Sequence, residues 1–160
     1  FMTLLNRLPI FPLYYEGKTK FAPIHCSDLT DVIFNVISNN VNSKIIECVG
    51  PEIISFKEIL EKLLNLIGKK RLLIPMPLPI AQMSARFFEI MPKPLLTRDQ
   101  LKLLKYDNVL SGKYKSNSDI GIPSLRYFDE EVKKYCYMWR EGGQFSTEKY
   151  NSDNIDIKTN

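Results

Sequence analysis

The 160-residue chain is long enough for one domain with a real core, and its 44% apolar and 25% charged residues are ordinary globular usage, which excludes disordered and fibrous classes. The net charge of +4 is spread along the chain, with Lys69-Lys70-Arg71 as a cluster and no aromatic interleaving, so no nucleic-acid partner is expected. Cys26, Cys48 and Cys136 are odd in number and far apart, without the spacing of a disulfide framework or a zinc site, and they point to a reducing compartment.

Phe1, Leu4, Leu5 and Leu8 read as the last turns of a helix ended by Pro9. The chain opens on Phe1 rather than Met, and the expectation is a fragment or processed product. Phe11 to Tyr15 is a short apolar run before a turn at Glu16-Gly17. Phe21 to Cys26 reads as a short strand, and Asp28 as the cap of a helix whose stripe is Leu29, Val32, Ile33, Val36 and Ile37. Residues 44 to 49, apolar on both faces except for Glu47, predict a strand covered on two sides in a parallel sheet.

The clearest local signal follows. Ser55 is a favoured N-cap, Glu58 completes a capping box, and Ile54 can staple onto Ile59. Phe56, Ile59, Leu60, Leu63, Leu64 and Ile67 form the apolar stripe, and Gly68 suits the left-handed position after the last turn. Strand, Gly-Pro turn and capped helix make half a βαβ unit. Arg71 to Ile74 is a second short strand, and a proline-punctuated loop leads to a helix over 80–91. Thr97 and Gln100 form another capping box before Leu101 and Leu104. A polar linker over 111–119 and a turn at Ile120-Gly-Ile-Pro123 lead to a last helix over 125–138. Residues 141–160 are polar and Asn-rich, which predicts a disordered tail after a structured unit of 1–140.

Chemistry-bearing residues are sparse. His25 is the only histidine and is expected in the strand as a structural imidazole. Tyr14 and Lys18 match Tyr-x-x-x-Lys, the acid/base pair of reductases, but that pair needs a helix face and Gly17 interrupts the spacing. No Gly-x-Gly-x-x-Gly occurs among the seven glycines. Catalytic, cofactor-binding and metal residues are therefore not assigned in this chain. The apolar run from Arg71 to Arg98 has cationic flanks and reads in two ways. It is either a membrane or partner surface carried by Arg71, Arg86, Phe87 and Phe88, or a buried helix with a proline-rich loop. The longest uncharged stretch in it falls short of the roughly 20 residues that span a bilayer.

Taken in order, three segments resemble a known set: Phe21-Ala-Pro-Ile-His-Cys-Ser-Asp-Leu29, Val49-Gly-Pro-Glu-Ile-Ile-Ser-Phe-Lys-Glu-Ile-Leu60, and Leu95-Leu-Thr-Arg-Asp-Gln-Leu101 with Asp107-Asn-Val109. They are similar to the C-terminal half of atypical extended short-chain dehydrogenases, NAD-dependent epimerase/dehydratase-like proteins, and within them to the group of the reductase-like accessory subunit of respiratory complex I and its bacterial relatives. The similarity runs from about Lys20 to Tyr135. It implies an α/β fold: the last strand and helix of an NAD(P)-binding Rossmann unit plus a small, mostly helical substrate lobe. In that lobe His25, Phe21 and Arg98 are the candidate residues, and Phe21 stands where nucleotide-sugar epimerases carry a phosphate-holding arginine.

The resemblance further implies a glycine fingerprint and an active Tyr-x-x-x-Lys pair upstream of Phe1. NAD(P) would then be bound by the complete protein and not by this chain alone. The implied partners are the N-terminal Rossmann half, complex I subunits and a peripheral membrane contact, in the bacterial cytoplasm or on the matrix side of the mitochondrial inner membrane. Two roles stay open: a structural or assembly subunit, and an active NAD(P)-dependent reductase or epimerase acting on a small or lipophilic, quinone-related substrate.

Overall fold

The computed structural model describes residues 2–39, 44–77, 79–80, 83, 98–141 and 143. Within them the chain mixes helices with parallel strands, an α/β arrangement. Helix α1 (Met2–Arg7) leads into strand β1 (Ile10–Tyr14), whose Phe11, Leu13 and Tyr14 are buried. Strand β1 pairs in parallel with β5 (Leu72–Met76), Ile10 opposite Leu72 and Tyr14 opposite Met76. Each of these two strands carries a proline, Pro12 and Pro75, which a two-stranded sheet tolerates because each has a free edge where no N–H is needed.

The capped helix forms as its sequence dictates. Strand β4 (Ile54–Ser55) runs directly into α3 (Phe56–Leu66). The Ser55 hydroxyl accepts the Glu58 N–H at 3.2 Å, and the Glu58 carboxylate accepts the Ser55 N–H at 2.6 Å. Gly68 takes φ +67°, where an L side chain is strained. The stripe Phe56, Leu60, Leu63, Leu64 and Ile67 is buried together with Leu5, Phe11, Leu13, Val132 and Cys136, so α3 is the helix around which the core closes.

Several expected elements take a different form. The strand expected over 21–26 is confined to β2 (Lys20–Phe21), antiparallel to β4, and His25 lies in extended backbone just before a helix. That helix, α2 (Cys26–Ser38), is capped by His25 rather than by Asp28, because the imidazole Nδ1 accepts the Ser27 N–H at 3.2 Å. The strand expected over 44–49 is reduced to β3 (Ile46–Glu47). Its ladder ends there because Val49 turns to side chains: its N–H goes to Asn117 Oδ1 at 3.1 Å and its carbonyl accepts from the Ser124 hydroxyl at 2.7 Å.

The stretch expected as a polar linker supplies the partner strand, β6 (Lys115–Ser116), parallel to β3. Glu47 explains why polarity was needed in a strand, since its carboxylate accepts from the Ser111 N–H at 2.9 Å and from the Ser111 hydroxyl. Asn117 is fully buried and its amide also donates to Ile122 O and Ser124 Oγ, so every polar atom of the side chain has a partner. Helix α4 spans Arg98–Leu103.

The last helix, α5 (Phe128–Lys133), is shorter than expected over 125–138. Glu52 accepts its Phe128 N–H at 2.8 Å in place of a local cap, and a 3-10 turn, Cys136–Trp139, follows. Of the helix expected over 80–91, Ile80 and Met83 are described and exposed. The remainder of it, Thr97 of the second capping box, and the tail except Glu141 and Gly143 lie outside the described residues.

Three expected outcomes follow. Ser55→Ala lowers stability by about 1 kcal/mol in urea denaturation, the size of a lost N-cap. The Ser55 backbone N–H, its hydroxyl and the Lys62 charge hold the Glu58 carboxyl below its ordinary range. Because that folded-state value is depressed, the contribution is present above the unfolded carboxyl pKa of about 4.3 and is lost as pH falls through the lower folded value. Glu58→Gln therefore destabilises at neutral pH, and its deficit shrinks in acid. Gly50→Ala is the harsher change. A Cβ there would stand 1.8 Å from the carbonyl oxygen of Pro23, and the cost is about 2 kcal/mol or more, read in the same unfolding experiment.

Candidate functional site

Two constellations stand out, and they are separate. The first is polar and gathers at the N-terminus of α2. His25 accepts the Ser27 N–H at Nδ1, so the neutral ring carries its proton at Nε2, which faces Glu131 Oε2 at 3.7 Å. Lys134 bonds the same Glu131 carboxylate at 2.6 Å and holds it below the ordinary carboxylate range, with His25 and Arg126 adding to the effect. One turn into α2, the buried Asp28 accepts both the backbone N–H of Arg126 at 3.1 Å and its guanidinium, and Asp31 lies 3.4 Å from the same guanidinium. Cys26 is exposed, its Sγ 3.9 Å from His25 Nε2. These contacts join α2 to α5, and both ring nitrogens of His25 face structural partners.

The second constellation is an apolar cavity of about 1240 Å³. Its walls are α1 (Leu4, Leu8), the sheet β1–β5 (Ile10, Phe11, Pro12, Tyr14, Ile74, Met76), Phe56 and Ile59 of α3, and Leu103 to Asn108. Phe21 lines it and packs on Phe56, ring centroids 6.4 Å apart. The polar end is built by a docked segment. Asp107 Oδ1 accepts the Lys20 N–H at 2.8 Å, and Asn108 bonds the backbones of Lys20 and Ala22. Thr19 donates its hydroxyl to the Leu104 carbonyl, fixing the same segment from the other side. Tyr15 and Glu16, at the end of β1, are held at φ 50° and 57°, an uncommon backbone for L residues that swings the chain away from the cavity.

The structure thus places Phe21 in the cavity and His25 in the polar cluster. Arg98 opens α4, with its side chain outside the described residues. Arg71 is committed internally: its guanidinium donates to the carbonyls of Leu5 at 3.0 Å, Asn6 at 3.1 Å and Lys70 at 3.2 Å, closing the C-terminal end of α1. Arg86, Phe87 and Phe88 lie outside the described residues. Tyr14 and Lys18 share no helix face, since Tyr14 ends a strand and Lys18 follows the turn, paired with Glu16.

Sequence reasoning did not find the cavity walls Leu103, Leu104 and Tyr106, because their convergence on β1 depends on tertiary contacts. Among the described residues no cluster of three metal-ligating side chains forms, and no helix is long and apolar enough to cross a membrane.

No family model matches the chain. Over 150 residues it is 25% identical to subunit 9 of the mitochondrial NADH dehydrogenase (ubiquinone) 1 alpha subcomplex of Arabidopsis thaliana. The match covers 87% of this chain and 37% of that protein, so the chain spans little more than a third of its relative's length. The resemblance to the complex I group thus has support at the level of overall sequence.

The polar cluster is a joint, and its buried member carries the load. Asp28→Ala removes the acceptor for both the Arg126 backbone and its guanidinium, and is expected to lower the thermal midpoint by several degrees. Lys134→Ala, which takes one exposed partner from Glu131, is expected to shift it far less.

Proposed function

We propose that the chain is the substrate-lobe half, with the last Rossmann strand and helix, of a complex-I-type NAD(P)-binding reductase-like protein whose role is chiefly structural, in assembly or stabilisation of a respiratory complex. The supporting observation is the 150-residue similarity to a subunit of NADH dehydrogenase, which spans nearly the whole chain. Apolar surface agrees with a partner. On α2, Ile33, Phe34 and Ile37 are 51%, 71% and 69% exposed in a helix whose periodicity demands a packed face, and Ile45 beside β3 is 62% exposed. An N-terminal Rossmann half, in the same polypeptide or another, would supply that cover. Complex I subunits and a peripheral membrane contact complete the proposed surroundings, on the matrix side of the inner membrane or in the bacterial cytoplasm.

A second reading is favoured by the cavity: an active NAD(P)-dependent reductase or epimerase on a small or lipophilic, quinone-related substrate, with NAD(P) and the Tyr-Lys pair in the Rossmann half. The two readings separate on whether that half carries Tyr-x-x-x-Lys on a helix.

In a doubly wound sheet the dinucleotide pyrophosphate rests on a glycine-rich turn and the N-terminus of the first helix, and this sequence has no such fingerprint. Calorimetric titration of NADPH is expected to give no heat of binding with the 160-residue chain and a saturable one with a version extended through its Rossmann half. Micromolar binding by the shorter chain would refute the division of labour proposed. Co-migration of the tagged chain with complex I on native gels tests the assembly role, and its absence from that band would count against it.

A further inference from the structure

We propose that the apolar cavity binds a single-chain amphiphile with an anionic head, its acyl tail along the β1–β5 sheet and its head at the Tyr106 end. The cavity, at about 1240 Å³, exceeds the roughly 300–1000 Å³ of ordinary small-ligand pockets, and its described lining is mostly aliphatic and aromatic side chains. Ile10 and Ile74 on those walls are 50% and 41% exposed, and the backbone beneath them is stiffened by Pro12, so an apolar tail is the occupant that removes this surface from water.

The polar side chains of the described lining are Tyr14, Tyr106, Asp107 and Asn108, the last three consecutive. Asp107 accepts from Lys20, and the Asn108 backbone is bonded to β2 and Ala22. Beside Tyr106 stands Lys105, not itself a lining residue, whose ammonium lies 5.6 Å from the centroid of the cavity-lining Tyr106 ring. Among the described residues it has no acidic partner, whereas Lys102 on the preceding turn is paired with Asp99. An apolar cavity with an ammonium beside one of its lining rings, and without an acidic partner among the described residues, fits an acyl carboxylate or acyl phosphate. This inference stands on the cavity alone, so its failure leaves the complex I reading untouched.

The test is a fluorescence titration of the 160-residue chain with cis-parinaric acid, followed by competition. Saturable enhancement at one probe per chain is expected, displaced by palmitate or lysophosphatidic acid about tenfold more readily than by hexadecanol. Displacement by palmitate alone assigns a carboxylate head, and by lysophosphatidic acid alone a phosphate head. Lys105→Glu is expected to weaken the acids about tenfold and leave hexadecanol unchanged. Ile74→Glu, at a half-exposed position and checked for folding by circular dichroism, is expected to weaken every ligand by about tenfold or more. No saturable enhancement, or unaltered binding by folded Ile74→Glu, would overturn the site. Equal displacement by hexadecanol would overturn the anionic head.

Discussion

The junction at Ser55 is the constraint on which the other elements depend. One residue ends strand β4, opposite Lys20, and caps helix α3, so the register of the β2–β4 pair and the start of the core helix cannot vary independently. Thr19 extends the same joint in two directions, its carbonyl accepting the Phe56 N–H at 2.8 Å and its hydroxyl donating to Leu104. Through that chain of bonds the first turn of α3 fixes where the segment after α4 lies. The cavity wall and its polar end are consequences of that helix cap, whose next residue, Phe56, itself lines the cavity. Burial of the α3 stripe supplies the driving force, since each fully buried aliphatic or aromatic side chain contributes about 1.5–3 kcal/mol.

What the sequence made legible follows from how local each signal is. Ser55, Glu58 and Gly68 act within one helix, so start, stripe and stop of α3 could be read directly. The start of α2 was misplaced because its cap is an imidazole, a residue outside the usual Ser, Thr, Asp and Asn set, and because Asp28 has a tertiary use in Arg126. The stretch over 111–119 looked like a linker since its polar residues were judged by composition. In the fold Ser116 and Asp119 hold each other, and Asn117 accepts the backbone N–H of Val49, a bond that reaches across 68 positions. The start of α5 was misjudged for a related reason: its first free N–H is met by Glu52, from a different part of the chain.

A second layer of tertiary chemistry lies at Lys62. Burial opposes its charge, but Asp129 at 2.6 Å and Glu52 at 3.5 Å outweigh it and raise its pKa. Glu52 thereby faces two ways, toward the α5 backbone and toward an α3 ammonium, and locks the two helices in one azimuth. Such a pair adds modest stability when half-exposed, and its greater effect is on orientation. Val132 and Cys136 enter the core around α3 from the elements so oriented.

The separation between the polar cluster and the cavity bears on what this chain can do. Acid–base chemistry on a bound substrate needs a titrating side chain within hydrogen-bond reach of the reacting atom. The imidazole of His25 is turned to Ser27 and Glu131, while the described cavity lining is mostly hydrocarbon, with Tyr14, Tyr106, Asn108 and an engaged Asp107 as its polar side chains. A pocket so furnished selects by shape and apolar area and offers little that would move a proton. Turnover on an occupant of this cavity would need a group that its described lining does not supply. The exposed apolar face of α2 and Ile45 beside β3 lie apart from the cavity lining, so a partner that covers them, as proposed above, leaves the choice of occupant to the cavity walls.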